Sequence, residues 1–247
     1  MPSPYDVRLR GRAKRRDEFY PLGSFPPDMI VALARQFVHR MAIGLLDVSG
    51  DDFGTIFASA VEGIHRESPL GVADVVRGKC AWSVKTIKAT IPKSLKTARL
   101  ISGRCSPDYS LGISDPRANP TATGNAVLSI WNARVNEALD EFDDLRIIVL
   151  VRNFASKQFM LFEEEASRFT PNDYKWDFNK SGNLEGYDIT SGDHRFTWQP
   201  HGAQFTIKRH IPAHARTFSI RNDVPIINME QVLALTEFVD DWIVLDE

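Results

Sequence analysis

Residues 71–88, GVADVVRGKCAWSVKTIK, contain two apolar runs separated by the dipeptide Gly-Lys at 78–79. Glycine readily adopts the positive φ that a type II′ turn requires at its first central position, so the stretch predicts a two-residue β-hairpin. Counting outward from the turn places Asp74 opposite Ser83, and Lys85 lies on the same face because side chains alternate along a strand. The stretch therefore predicts that a carboxylate, a hydroxyl and an ammonium group meet on one surface of a sheet.

The composition of the whole chain is that of an ordinary globular protein. It has 247 residues, 43% of them hydrophobic and 25% charged, which is enough for one large domain or two small ones. The formal net charge of −2 excludes a bulk attraction for phosphate, so any contact with nucleic acid must come from local clusters of Lys and Arg. The two cysteines have no metal-type spacing, and no run is long enough to span a membrane. We therefore expect a cytoplasmic protein without a membrane partner.

Apolar periodicity predicts the elements around the hairpin. Two helices precede it, a third helix follows it, and then come an unbroken apolar run typical of a strand buried on both faces and a second strand ending in three glutamates. The triple glutamate at 163–165 is interpreted as a solvated strand end. The predicted elements lie at about 28–45, 49–65, 123–142, 145–151 and 158–165.

The hairpin residues have a chemical use in phosphodiester hydrolysis. That reaction needs a divalent cation held by oxygen ligands and a group that orients the attacking water. Asp74 and the triplet Ser83-Val84-Lys85 resemble the PD-(D/E)xK nuclease superfamily, and type II restriction enzymes in particular. The core of that superfamily has an Asp at the end of one strand and a (D/E)-x-K triplet on the next. Here Ser83 replaces the triplet acid. The order of helix, hairpin, helix and buried strand over about 50–152 matches the order of that core.

The resemblance implies a Mg²⁺-dependent, sequence-specific DNA endonuclease that acts on duplex DNA as a homodimer. Asp74 would ligate the metal, together with the carbonyl of Val84 and an additional carboxylate from Glu62 on the preceding helix. Lys85 would position the hydrolytic water, and Ser83 would bind a water ligand in place of the missing acid. The main rival of Glu62 as the additional carboxylate is Glu137 on the later helix.

Two segments are predicted to contact DNA. The basic ribbon at 85–99 follows the hairpin directly, where a phosphate backbone would have to lie, although such runs are usually solvated edges. The aromatic and polar region at 172–210 contains base-edge donors and acceptors on predicted strands at 194–199 and 203–209; its other interpretation is a β-subdomain with polar loop tips. The predicted contact residues are Lys88, Lys93, Lys96, Arg99, Asn183, Arg195, Gln199, His201 and Gln204.

The sequence as a whole predicts an α/β fold with a central mixed sheet flanked by helices and an appended β-rich region. A basic N-terminal arm would occupy residues 1–25, and a single nuclease-like domain would occupy 26–247, with its catalytic core at about 50–165. A C-terminal helix at about 228–238, followed by a short strand, would dock on the core or on a second subunit. Two other function classes stay open. These are a DNA-binding module without catalysis and a structural or interaction protein in which Asp74 and Lys85 form an ordinary cross-strand ion pair.

Overall fold

The computed structural model describes residues 19–66 and 72–244. Within these residues the chain forms two sheets with helices packed around them. Sheet A has six strands in the order β1-β2-β3-β5-β6-β11, and sheet B has five in the order β4-β10-β9-β8-β7. In sheet A, β3 and β5 are parallel and the other neighbours are antiparallel, so the sheet is mixed. The predicted α/β class with a central mixed sheet is confirmed.

The elements have the following bounds. The helices are α1 Pro27–Ala42, α2 Gly50–Ala60, α3 Pro107–Leu111, α4 Pro120–Glu141 and α5 Met229–Leu235. The strands of sheet A are β1 Ile64–His65, β2 Val75–Arg77, β3 Cys80–Lys88, β5 Asp144–Asn153, β6 Gln158–Glu165 and β11 Arg216–Ser219. The strands of sheet B are β4 Thr97–Arg104, β7 Tyr174–Phe178, β8 Leu184–Asp188, β9 His194–Gln199 and β10 Gln204–His210. Short 3-10 turns occupy Pro92–Ser94, Pro171–Asp173 and Asp240–Trp242.

Sheet A is covered on both faces. Ile148 and Leu150 of β5 pack in a cluster with α1 and α2, whereas Ile147 and Val149 pack on the opposite face with α4 and sheet B. Successive side chains of a strand point to opposite faces, so an apolar run without polar alternation needs a cover on each side. The run at 145–151 is therefore a strand buried on both faces, as predicted.

Several predicted boundaries are wrong. Helix α2 ends at Ala60 and not near 65, because Glu62 adopts a left-handed φ of +52° and the following residues form β1. The C-terminal helix ends at Leu235, and the residues predicted as a closing strand begin with a 3-10 turn and form no strand up to residue 244. The sequence patterns predict none of the strands β1, β4, β7, β8 and β11, nor the short helix α3.

Part of the predicted N-terminal arm belongs to the core. Tyr20 and Phe25 are buried, and the Tyr20 hydroxyl donates to Glu163 at 3.0 Å. The basic segment at 7–17 lies outside the described residues. Tyr20 and Phe25 of the predicted arm therefore pack with the helices and strands of the predicted domain.

The triple glutamate is not uniformly solvated, which corrects the sequence interpretation. Glu163 is fully buried, and its carboxylate is 2.9 Å from a guanidinium nitrogen of Arg146, itself paired with Asp144 at 2.6 Å. Trp82 also donates to Glu163, at 3.3 Å. A charged network thus ties β3, β5 and β6 together under α1 and α2.

None of the helices in the described parts of the chain is long and apolar enough to cross a bilayer.

Candidate functional site

The predicted cluster on the hairpin is assembled in the structure. Three groups converge on one oxygen of Asp74, its Oδ2: the Val84 N–H donates at 2.7 Å, the Ser83 hydroxyl donates at 3.3 Å, and the Lys85 ammonium lies 3.7 Å away. The backbone of Asp74 is held as well, because its N–H donates to the Trp82 carbonyl at 2.9 Å. The prediction that Asp74, Ser83 and Lys85 lie together is therefore correct as geometry.

The local sequence explains this convergence. Gly78 has φ +56°, and the tight turn sets the register in which Arg77 pairs with Cys80. Trp82 and Val84 pack on the other face of β3 with α1 and α2. Alternation along the strand then directs Ser83 and Lys85 toward the face covered by α4 and sheet B.

The cluster is only partly open to solvent. Ser83 is buried, and the side chains of Lys85 and Asp74 are 22% and 23% exposed. Partial exclusion of water strengthens the attraction between the two charges relative to a fully exposed pair. The site thus combines a fixed carboxylate with a partly exposed ammonium group.

The contacts of the cluster involve one carboxylate that could serve a divalent cation, that of Asp74. The three contacts described above all involve Oδ2 of Asp74 and not Oδ1, the other oxygen of the carboxylate. The Val84 carbonyl points toward the same edge as its N–H, because both backbone groups of a strand residue face one neighbouring strand. Protein sites for Mg²⁺ commonly use one or two carboxylates and leave the remaining positions to water and phosphate oxygens. Among the described residues there is no group of three or more acidic, His or Cys side chains that could hold a metal.

Glu62 does not join the cluster, which corrects that prediction. Its carboxylate pairs with Arg77 at 3.2 Å, and the Arg77 guanidinium also donates to the Val61 carbonyl on the side of α2. Asp74 directly precedes β2 and stands three residues before Arg77. Because side chains alternate along an extended chain, the side chains of Asp74 and Arg77 lie on opposite faces of the hairpin. The rival Glu137 is exposed on α4, away from the buried face of that helix. Glu62 therefore lies on the other face of the hairpin from Asp74, and the additional carboxylate stays a prediction.

The basic residues after Lys85 follow the chain from β3 to β4. Lys88 ends β3 and pairs with Asp47 at 2.5 Å, while Lys93 and Lys96 are exposed in the connection. Arg99 is exposed in β4, and its guanidinium lies 3.5 Å from the Thr197 hydroxyl as a donor. All four cations are therefore at the surface, and one of them, Lys88, is already paired with a carboxylate.

A cleft that sequence analysis missed lies at the carboxyl ends of the parallel strands β3 and β5. Its volume is about 410 Å³, and its walls include Asp47, Lys88 and Arg152. Arg152 donates to Asp47 at 2.8 Å. Desolvation opposes ionisation of Asp47, but hydrogen bonds from Lys88, Arg152 and the Val48 backbone outweigh it and lower the pKa of Asp47 to about 2. The carboxyl end of parallel strands is a general place for ligands, and this rule was the signal available in the sequence.

The predicted base-recognition residues all lie on or beside sheet B. Gln199 and Gln204 are paired across β9 and β10. Asn183 and His201 lie in the β7–β8 and β9–β10 turns, at the same end of the sheet because Leu184 pairs with Trp198. Arg195 lies at a register shift between β8 and β9, and its Nε is buried without a hydrogen-bond partner.

The aromatic rings of this region are mostly core residues. Trp176 is buried and stacks on Phe196 at a centroid distance of 5.7 Å. A Cβ placed on Gly124 would come within 2.1 Å of the Trp176 ring, so α4 packs directly on it. Trp176 is therefore unavailable for stacking on a base.

Comparison with protein-family models, curated proteins and solved structures finds no match to this chain. The chemical role of the hairpin residues therefore has to be inferred from their own geometry. Among the residues predicted for the site, the structure brings together Asp74, Ser83, Lys85 and the backbone of Val84.

Proposed function

We propose that this chain is a Mg²⁺-dependent, sequence-specific endonuclease that hydrolyses phosphodiester bonds in duplex DNA, in the manner of type II restriction enzymes. The main support is the convergence of Lys85, Ser83 and the Val84 N–H on one carboxylate oxygen of Asp74. Further support comes from the order of α2, hairpin, α4 and β5, with β5 parallel to β3. That is the element order of the PD-(D/E)xK core.

In this proposal each side chain of the cluster has a distinct task. Asp74 and the Val84 carbonyl would hold a divalent cation, and that cation would polarise the phosphoryl group and lower the pKa of the attacking water. The Ser83 hydroxyl and the Val84 N–H fix the orientation of the Asp74 carboxylate. Lys85, held near that carboxylate, donates hydrogen bonds to the attacking water and offsets charge on the phosphate.

The same proposal assigns the contacts with DNA. Cations on the connection from β3 to β4, from Lys88 to Arg99, contact phosphates beside the cluster. Amide side chains of sheet B, Gln199 and Gln204 among them, contact base edges. A homodimer supplies one active site for each strand of a two-fold symmetric target.

Both cysteines are free, which suits an enzyme that acts in the cytoplasm.

One observation favours a second candidate, a DNA-binding module without catalysis. Glu62 faces away from Asp74, so the described residues provide a single carboxylate at the cluster. In this candidate the pair of Asp74 and Lys85 only stabilises the hairpin, and the DNA contacts are those given above. The two candidates differ in cleavage and agree in binding.

The test is incubation of purified protein with plasmid DNA, with and without Mg²⁺, followed by gel analysis. We expect discrete fragments only with Mg²⁺. Asp74→Asn and Lys85→Ala should each lower the cleavage rate by at least about 100-fold, the order of loss when one group that stabilises the transition state is removed. Their affinity for duplex DNA, measured by gel shift in EDTA, should change little.

Glu62→Gln is the matched carboxylate control, and we expect it to cleave at the wild-type rate. Thermal unfolding of each variant separates loss of activity from loss of fold. Retained cleavage by the Asp74 or Lys85 variant would remove the assigned site. DNA binding in EDTA without cleavage in Mg²⁺ or Mn²⁺ would establish the binding module. Absence of any salt-dependent DNA binding would leave a structural or interaction role.

A further inference from the structure

The C-terminal arm, residues 221–244, exposes most of its apolar side chains. It joins the body beside the end of α1, where the Ile227 N–H donates to the Ala42 carbonyl at 2.7 Å. Helix α5 then starts at a capping box formed by Asn228 and Gln231 and buries none of its residues. The exposed apolar residues of the arm are Ile226, Ile227, Met229, Val232, Leu235, Val239, Trp242, Ile243 and Val244.

The exposed apolar area of the arm is as large as a protein interface. The nine side chains are between 37% and 80% exposed. For residues of this size, those fractions amount to roughly 1,000 Å², compared with about 800 Å² that each partner buries in a standard stable interface. A monomer rarely leaves so much apolar surface uncovered on one segment of 24 residues.

Helix α1 offers a surface of matching character near the root of the arm. Val31 and Val38 are exposed seven residues apart, so they lie on one side of the helix, and Leu45 and Leu46 are exposed just beyond its end. The buried residues of α1 lie on the other side, facing sheet A. This second surface is called the α1 stripe.

The two surfaces are also complementary in charge. The arm contains one basic residue, Arg221, and five acidic residues between Asp223 and Asp241. The α1 stripe is flanked by Arg35 and His39, which are both exposed. The attraction of opposite charges favours docking of an acidic arm on this basic rim.

We propose that a second copy of this chain covers the arm, so that the arm of each copy docks on the α1 stripe of its partner in a two-fold symmetric dimer. Both surfaces adjoin Ala42, so an axis near that residue forms the two contacts together. Residues 1–18 are a poor alternative occupant, because Met1, Tyr5, Val7 and Leu9 are their only large apolar residues besides proline, too few to cover the exposed side chains of the arm. The proposal concerns association alone and does not depend on DNA cleavage.

The test measures the mass of the full-length protein by sedimentation equilibrium without DNA. We expect twice the mass of the 27.9-kDa chain at micromolar concentration. Leu235→Glu on the arm and Val38→Glu on the α1 stripe should each raise the dimer dissociation constant by about 100-fold, because a symmetric dimer contains each substitution twice. A mixture of the two variants should contain more dimer than either variant alone, since one intact arm and one intact stripe can still meet.

Ile189→Glu is the matched control, because Ile189 is 63% exposed between β8 and β9 of sheet B, across sheet A from α1. This variant should dimerise like the wild type. The proposal is overturned if the wild type is monomeric at micromolar concentration, if its dimer survives Leu235→Glu, or if Val38→Glu has no effect. Circular dichroism of each variant confirms that its fold is retained.

Discussion

Glu163→Gln tests the buried network beneath α1 and α2. The Glu163 carboxylate accepts hydrogen bonds from the Tyr20 hydroxyl, the Gly23 N–H and the Trp82 indole, and it pairs with Arg146. Burial raises the pKa of Glu163, and the charge of Arg146 together with these donors opposes the rise. Glutamine has nearly the same shape but replaces one acceptor oxygen with a donor and removes the charge.

The expected cost follows from the groups that lose their partner. One oxygen of Glu163 accepts from Gly23 and Arg146, and the other accepts from Tyr20 and Trp82. An amide NH₂ accepts no hydrogen bond, so Glu163→Gln leaves two buried donors without an acceptor in either orientation of the amide. Each such donor costs about 1–3 kcal/mol. Breaking a buried ion pair typically costs about 3–5 kcal/mol, but Arg146 keeps Asp144 as a second partner. We expect the free energy of unfolding to fall by about 3 kcal/mol.

The two glutamates that follow are matched controls. Glu164 is 24% exposed and pairs with the largely buried Arg209, so Glu164→Gln should cost about 1–2 kcal/mol, less than Glu163→Gln because Glu164 is less buried. Glu165 is exposed at the end of β6, and Glu165→Gln should change stability by less than about 0.5 kcal/mol. Urea unfolding followed by tryptophan fluorescence gives the three values. A loss for Glu163→Gln no larger than that for Glu165→Gln would refute the stabilising role assigned to the network.

Two further predictions concern packing and pH. Gly124→Ala should lower the free energy of unfolding by about 1–3 kcal/mol, because its Cβ would come within 2.1 Å of the Trp176 ring; an unchanged urea midpoint would contradict that packing. Asp47 has a pKa of about 2 in the folded chain, so its contribution is complete above about pH 4 and is lost as pH falls toward 2. Because Asp47 is 42% exposed, this contribution is about 1 kcal/mol, and the stability difference between wild type and Asp47→Asn should be complete at pH 7 and clearly smaller at pH 2.

Local patterns predicted the hairpin and the cluster well. The turn at Gly78 determines the register of β2 and β3, and the register together with strand alternation determines that Ser83 and Lys85 share the face of Asp74. The buried strand β5 was predictable for the same kind of reason, because its unbroken apolar run needs no partner to be recognised.

Placement between distant elements was not predictable. The sequence favours Glu62 as a site residue because it lies on the predicted preceding helix and off the apolar stripe of that helix, but the chain turns at Glu62 and pairs it with Arg77. Glu163 was interpreted as solvated because a run of three acids is usually exposed, and only its contacts with Tyr20 and Arg146 explain its burial.

The sequence by itself determined the α/β class, the hairpin register and the group of Asp74, Ser83 and Lys85, because these depend on turn chemistry and on short periodicities. The tertiary structure alone decided which carboxylates are buried, which face Glu62 occupies and that the C-terminal arm lies exposed beside α1. Those outcomes depend on contacts between residues far apart in the chain, and local propensity contains no information about such contacts.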